Sequence, residues 1–206
     1  MEERQLALLK EIGLLEDVNI EYLFTKGFKN NLNIDITDVK GEVEDLIEKN
    51  YLELSENNSV SISEKGRNTL KQNYPGIVLI GKVVSGLEQG KYYMSKRGYK
   101  KQFRKKLGIN PYEGTLNIKL EEDSIDKFKK LKKSSGIHIE GFSTRKEDFG
   151  SLTAFSAEVG GIDCALIIPF KSEYERIAEL ISEVKLRDKL DLKDGDIIQI
   201  LVKLWE

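Results

Sequence analysis

The sequence predicts an α+β protein of two domains, a helical domain over residues 1–75 and a β-rich domain over residues 77–206. Apolar residues recur at helical spacing in the first part, whereas the later segments are short, β-branched and alternating. The charge also changes, since residues 1–75 carry 9 Lys and Arg against 15 Asp and Glu, and residues 76–206 carry 24 against 20. Pro75 and Gly76 would end any helix between the two parts.

The bulk composition favours a cytoplasmic protein that does not associate with membranes. Hydrophobic residues make up 39% and charged residues 33% of the chain, which is typical of globular domains. No apolar run approaches the roughly 20 residues that a membrane span requires, and the N-terminus lacks the pattern of a secretory signal. With Cys164 as the one cysteine and His138 as the one histidine, an intrachain disulfide and a Cys/His zinc cluster are excluded.

The first 75 residues predict helices, then a β-hairpin, then a last helix. The segments EERQLALLKEIGLLE and TDVKGEVEDLIEKNYLEL place apolar residues at helical spacing, with Thr37 as an N-cap of the second helix. Two short alternating runs follow in YLELSENNSVSISEKG, and EKGRNTLKQ predicts the last helix. This order is typical of a winged helix-turn-helix domain.

A winged helix-turn-helix domain often binds DNA, but the charge of this one argues against it. The candidate recognition helix, residues 37–50, contains five acidic side chains and only two lysines. Such a face would repel a phosphate backbone, which proteins neutralise with Lys and Arg. We therefore expect a scaffold or dimerisation role for residues 1–75 rather than sequence-specific DNA binding.

The second part predicts a β-barrel with one or two helices. Six segments have strand-like patterns: IVLIGKVVSG, EGTLNIKL, GIHIEGF, LTAFSAEVGG, IDCALIIPF and DGDIIQILVKL. SKRGYKKQFRKKLG predicts a basic helix that buries Tyr99, Phe103 and Leu107 and ends at Gly108. SEYERIAELISE predicts another helix, with Ser172 as its cap. Many short strands at this density favour a barrel.

Two segments are candidates for binding phosphate, although neither the P-loop motif nor G-x-G-x-x-G occurs. In VVSGLEQGKYYMS, Gly86 and Gly90 flank a connection between two strand-like runs, and Lys91 follows. Glycines allow backbone N–H groups to turn toward an anion. In SEVKLRDKLDLKDGD, basic residues cluster before the last strand. Taken alone, the first segment is more often a plain turn and the second a solvated loop.

A third candidate lies in the run NPYEGTLNIKL. Leu116, Ile118 and Leu120 alternate along one face of a predicted strand, while Thr115 and Asn117 lie on the other. A hydroxyl and an amide oxygen two residues apart point to the same side and suit a hard cation such as Mg²⁺. Without further information, such a pair is usually ordinary surface.

Four separated segments resemble, in this order, the archaeal CTP-dependent riboflavin kinase family. They are GKVVSGLEQGKYYMS, LGINPYEGTLNIKL, IDCALIIP and VKLRDKLDLKDGDIIQI. The resemblance covers residues 77–206, and some members also carry an N-terminal winged-helix domain. It implies a six-stranded cradle-loop β-barrel of the riboflavin kinase type. It also implies transfer of the γ-phosphoryl of CTP to the ribityl 5′-hydroxyl of riboflavin, which gives FMN and CDP with one Mg²⁺ ion.

The resemblance also implies site residues. The nucleotide-binding positions form two loops: Gly86, Leu87, Glu88, Gln89, Gly90 and Lys91, then Val184, Lys185, Leu186, Arg187, Asp188 and Lys189. The magnesium ligands fall on Thr115 and Asn117, and the riboflavin- or FMN-binding positions on Ser172 and Glu179. Ser172 has a second interpretation as a helix cap, and Glu179 as an exposed helical residue. No residue stands out as a general base.

A second function remains open, a transcription regulator whose barrel senses flavin or nucleotide without turnover. The two functions differ in whether nucleotide is consumed. The Thr115 and Asn117 pair favours the kinase, because a sensor need not hold Mg²⁺ against a γ-phosphate. The acidic recognition helix argues against the regulator.

Overall fold

The computed structural model describes most of the chain, namely residues 1–15, 17–32, 38–86, 89–170 and 176–205. The chain divides into two compact units. The first comprises Met1–Pro75 together with Trp205, and the second comprises Gly76–Leu204. Within the part of the chain just given, no helix is both long and apolar enough to cross a membrane.

The first unit consists of helices around a small antiparallel sheet. Its helices are α1 (Glu3–Gly13), α2 (Ile20–Leu23), α3 (Lys26–Asn31), α4 (Val39–Glu48) and α5 (Glu64–Asn73). Its strands are β1 (Val18–Asn19), β2 (Leu52–Leu54) and β3 (Ser59–Ile62), in the order β1-β3-β2.

Local sequence explains where two of these helices begin. The Asp38 carboxylate accepts a hydrogen bond from Gly41 N at 2.9 Å and caps α4, and the Ser63 hydroxyl accepts one from Gly66 N at 2.9 Å and caps α5. The predicted cap Thr37 lies outside the described residues. Helices and a hairpin occur in the predicted order, while the assignment to the winged helix-turn-helix class stays a prediction.

The second unit contains the remaining elements. Its strands are β4 (Gly76–Val84), β5 (Leu116–Leu120), β6 (Ile137–Ile139), β7 (Phe142–Ser143), β8 (Asp148–Phe149), β9 (Leu152–Val159), β10 (Ile162–Pro169), β11 (Ile177–Ile181) and β12 (Ile197–Lys203). Its helices are α6 (Gln89–Met94), α7 (Arg97–Leu107), α8 (Glu122–Lys133) and α9 (Leu186–Lys189).

Six of these strands close into an antiparallel barrel, which confirms the predicted fold class. Neighbours follow the order β10-β11-β5-β4-β12-β9, and β9 pairs again with β10 to complete the circle. Strand β6 joins the outside of the circle beside β9. Closure leaves no unpaired sheet edge among the six strands, which removes a route to aggregation.

Strand β10 is buried on both faces because the barrel has an apolar interior and a covered exterior. Its residues from Cys164 to Ile168 are all buried. Leu166 belongs to the interior cluster, whereas Ala165 and Ile167 belong to a second cluster that includes side chains of α6 and α7. Each fully buried large apolar side chain contributes about 1.5–3 kcal/mol. The basic helix α7 is therefore fixed to the barrel wall by its apolar face.

The structure confirms the α7 prediction in detail. Tyr99 and Phe103 are 4% and 0% exposed, and the helix ends at Gly108, which has a φ of +70°. Leu107 is only half-buried and packs against the same exterior cluster.

Two element predictions are wrong, and one helix was not predicted. SEYERIAELISE does not form a helix in its described part, because Ile177–Ile181 is β11, which pairs with both β5 and β10. The run after Gly90 is not a strand, since it belongs to α6. Helix α8 was not predicted, although Ile125, Phe128 and Leu131 follow a helical spacing and are buried. For β11, pairing on both sides outweighs the helical preference of the segment.

Candidate active site at the barrel rim

The predicted magnesium pair lies where the chain enters β5. Thr115 immediately precedes the strand and Asn117 is its second residue, so both side chains point to the outside of the barrel. Both are half-buried, and the Thr115 Oγ1 and Asn117 Oδ1 atoms are 3.3 Å apart. Two neutral oxygens that converge in this way suit Mg²⁺, which takes few protein ligands and completes its shell with water and phosphate.

The first predicted nucleotide loop lies directly against this pair. A Cβ atom on Gly86 would come within 1.8 Å of Asn117 Nδ2, and one on Gly90 within 2.3 Å of Thr115 Oγ1. Only glycine allows the backbone to approach so closely. Gln89, Gly90 and the exposed Lys91 begin α6, while Leu87 and Glu88 lie outside the described residues.

The second predicted loop is joined to the start of the first by a network that we call the Asp194 clasp, formed by Arg187, Asp194, Ser85 and Val84. Arg187 Nη1 donates to Asp194 Oδ1 at 2.7 Å, and Nη2 donates to the Val84 carbonyl oxygen at 3.1 Å. Asp194 Oδ2 accepts from Ser85 Oγ at 2.6 Å and Ser85 N at 3.2 Å. These bonds from Ser85 and Arg187 lower the pKa of the Asp194 carboxyl.

The rest of the second loop combines one buried anchor with exposed charges. Leu186 is 4% exposed and packs into the barrel core. Lys185 forms an ion pair with Asp188 at 2.8 Å, which raises the pKa of the lysine. Val184 and Lys189 are exposed. The buried leucine therefore fixes the position of a short segment whose charged groups face solvent.

Glu179 lies beside the magnesium pair, on β11 rather than on a helical face. It is directly opposite Asn117 in the β5–β11 register, so the two side chains share one face of the sheet. The Glu179 side chain is half-buried, and this burial raises the pKa of its carboxyl. In the described parts of the chain no hydrogen bond or ion pair to the Glu179 side chain occurs. Ser172 lies outside the described residues.

The structure thus brings Gly86, Gly90, Thr115, Asn117 and Glu179 to one place at the barrel rim. Sequence reasoning did not find the Asp194 clasp, because the Asp-Gly pair at positions 194–195 also signals a simple turn.

Similarity to known proteins identifies the family. The model of a protein family labelled CTP-dep_RFKase, and described as "Domain of unknown function DUF120", matches residues 83–202, more than half of the chain. The chain belongs to the CTP-dependent riboflavin kinase family. The match begins at the end of β4 and runs into β12, so it includes all of β5, β9, β10 and β11 and part of the other two barrel strands.

Archaeal riboflavin kinases are similar to this chain over one or both units. The riboflavin kinase of Archaeoglobus fulgidus is 44% identical over 156 residues, which cover 70% of this chain and 67% of the relative. That of Thermoplasma volcanium is 43% identical over 69% of this chain and 70% of the relative. The riboflavin kinase of Picrophilus torridus is 34% identical over 99% of this chain and 98% of the relative. The last match therefore includes the N-terminal unit as well as the kinase barrel.

Proposed function

We propose that this riboflavin kinase transfers the γ-phosphoryl of CTP to the 5′-hydroxyl of riboflavin at the rim formed by residues 86–91, residues 184–189 and the start of β5. One observation carries the location of the site. The Gly86 and Gly90 backbone approaches Asn117 and Thr115 more closely than any side chain would permit. A triphosphate held by the loop would therefore lie beside the two oxygens suited to its metal ion.

In this proposal the two loops hold the triphosphate. Backbone N–H groups near Gly86 and Gly90 bind phosphate oxygens, and Lys91 and Arg187 neutralise charge that moves onto the leaving CDP. The Asp194 clasp fixes the Arg187 guanidinium beside the start of the first loop. Phosphoryl transfer depends mainly on such alignment and charge neutralisation.

Thr115 and Asn117 would hold the Mg²⁺ ion through their side-chain oxygens. When bound, the ion offsets the negative charge of the phosphate groups. The two ligands are neutral, so they place no additional negative charge beside the triphosphate.

Glu179 and Ser172 are the proposed riboflavin contacts. The Glu179 carboxylate shares a face with Asn117, so a hydrogen bond from the ribityl chain would place riboflavin beside the phosphate site. Glu179 is half-buried, and this burial raises the pKa of its carboxyl, so the carboxyl is partly shielded from water. Excluding water favours transfer to the flavin alcohol over hydrolysis.

For residues 1–75 we propose a scaffold or dimerisation role in a cytoplasmic enzyme. Helix α4 is acidic, and its Glu42 and Asp45 carboxylates accept hydrogen bonds from Gln5 at 2.8 and 2.6 Å. The acidic face therefore also has a part in the packing of this unit.

The experiment that tests this function is incubation of the full chain with riboflavin, Mg²⁺ and each of the four nucleoside triphosphates in turn. We expect chromatography to show FMN with CTP, and one CDP formed for every FMN. Riboflavin and CTP that bind without any FMN would instead support the flavin-sensing regulator.

The Asp194 clasp gives a further prediction. Asp194→Ala removes the acceptor shared by Arg187 and Ser85, and we expect the KM for CTP to rise about tenfold, as for the loss of one charge-assisted hydrogen bond. The KM for riboflavin should not change. Asp194→Asn keeps one acceptor oxygen and should have a smaller effect. Steady-state kinetics with each substrate varied would measure this, and an unchanged KM for CTP in Asp194→Ala would contradict it.

A further inference from the structure

A shallow cleft of about 350 Å³ lies between the two proposed nucleotide loops, and apart from Lys91 its lining residues have no role in the function proposed above. It is lined by Lys91, Asn110, Pro111, Tyr112, Glu113 and Glu183. Lys91 is the last residue of the first loop, and Glu183 immediately precedes the second. A nucleotide whose phosphates lie between the loops would therefore have this cleft within reach of its base.

Hydrogen bonds hold the walls of the cleft in a fixed relation. Glu183 Oε1 accepts from the backbone N–H of Asn110 at 3.0 Å, and the backbone N–H of Tyr112 donates to the Ser182 carbonyl oxygen at 2.8 Å. Glu113 is engaged elsewhere, since its carboxylate pairs with Lys100 at 2.7 Å. Among the residues that the structure describes, none forms a hydrogen bond or ion pair with the second Glu183 oxygen, Oε2, so this oxygen remains for a ligand.

The Tyr112 side chain supplies a surface for a flat ring. It is 43% exposed, which is high for a large aromatic residue held by a backbone hydrogen bond. Stacking on an aromatic side chain is a common way to bind a nucleobase, and it works for any base because each has a flat aromatic face. The cleft therefore combines a platform for the ring with groups that can distinguish its edges.

The polar groups of the cleft match cytosine better than uracil. Cytosine presents an amino group at C4 and an acceptor at N3, whereas uracil presents a carbonyl oxygen and an N–H at these positions. An ionised carboxylate only accepts hydrogen bonds, and an amide can donate one. Glu183 therefore suits the amino group of cytosine, and the Asn110 side chain suits its N3.

We propose that this cleft selects the nucleobase, with Tyr112 stacking on the ring and the free Glu183 oxygen accepting a hydrogen bond from the cytosine amino group. The proposal rests on the proposed function, because it requires the phosphates to lie between the two loops. It assigns the choice of CTP over UTP to the residue immediately before the second loop.

Glu183→Gln tests the proposal because the Asn110 N–H fixes the orientation of the new amide. That N–H needs an oxygen acceptor, so the amide nitrogen takes the position facing the base and donates to O4 of uracil. We expect the ratio of kcat/KM for CTP to that for UTP to fall at least tenfold, through a loss with CTP and a gain with UTP. The KM for riboflavin should stay constant.

Glu113→Gln is the matched control, since it makes the same change of charge in the same cleft. The ratio of kcat/KM for CTP to that for UTP in Glu113→Gln should equal the ratio in the wild type. Tyr112→Ala should raise the KM for CTP at least fivefold and Tyr112→Phe should restore it, because stacking needs the ring and not the hydroxyl.

An unchanged CTP to UTP ratio in Glu183→Gln overturns this proposal, as does an unchanged KM for CTP in Tyr112→Ala. Both results leave the kinase function in place as long as the wild type makes FMN from CTP. If the wild type makes FMN from no nucleoside triphosphate, the proposed function fails first and this proposal with it.

Discussion

Replacing Thr115 and Asn117 together by alanine is expected to lower the rate of FMN formation at least about 100-fold, as for the loss of a charge-stabilising group in an active site. The double variant removes both proposed protein ligands of the metal ion. It should remain folded, because the two side chains are half-buried and share one weak hydrogen bond of 3.3 Å. Chromatography of FMN would measure the rate, and thermal unfolding would report the fold.

Lys119→Ala is a suitable control for the double variant. Lys119 is exposed and lies on the same face of β5, two residues after Asn117. It should keep the wild-type rate of FMN formation. A double variant that is folded and nearly as active as this control would show that Thr115 and Asn117 are not the metal ligands.

The second large effect is expected from Gly90→Ala. The new methyl group would lie 2.3 Å from Thr115 Oγ1, so either the loop or the threonine has to move. A displacement of about 1 Å in an aligned site costs on the order of 100-fold in rate. We expect kcat/KM for CTP to fall by about that factor, measured by the same FMN assay.

Gly150→Ala makes the same chemical change at a position where an added Cβ meets nothing within 4 Å. It should therefore have little effect on activity. Gly86→Ala, which would place a Cβ 1.8 Å from Asn117 Nδ2, should behave like Gly90→Ala. Wild-type kinetics in both loop variants would show that the loop does not need its close approach to β5.

Much of the fold could be predicted from local patterns, and the failures have physical reasons. The alternating strands could be predicted because each turns one apolar face toward the barrel interior. Helix α7 could be predicted because its apolar face packs on the outside of the barrel wall. The helix prediction for Ile177–Ile181 is wrong because these residues are compatible with a helix, and only their pairing with β5 and β10 makes the segment a strand. Such pairing depends on residues far away in the chain.

The site could be predicted only in part for a similar reason. Motifs that are contiguous in sequence, such as Thr115 with Asn117, were found through their resemblance to a family. The Asp194 clasp was not, because it joins Ser85 and Arg187 to Asp194 across up to 109 residues. The contact between Asn110 and Glu183 spans 73 residues and was missed likewise.

The proposed metal site can be tested by a crystal structure of the full chain with CDP and Mn²⁺, in which the ion is located by its anomalous scattering. We expect the ion to contact Thr115 Oγ1 and Asn117 Oδ1 while the phosphates of CDP lie between the two loops. An ion bound elsewhere, with both side chains directed into solvent, would contradict it.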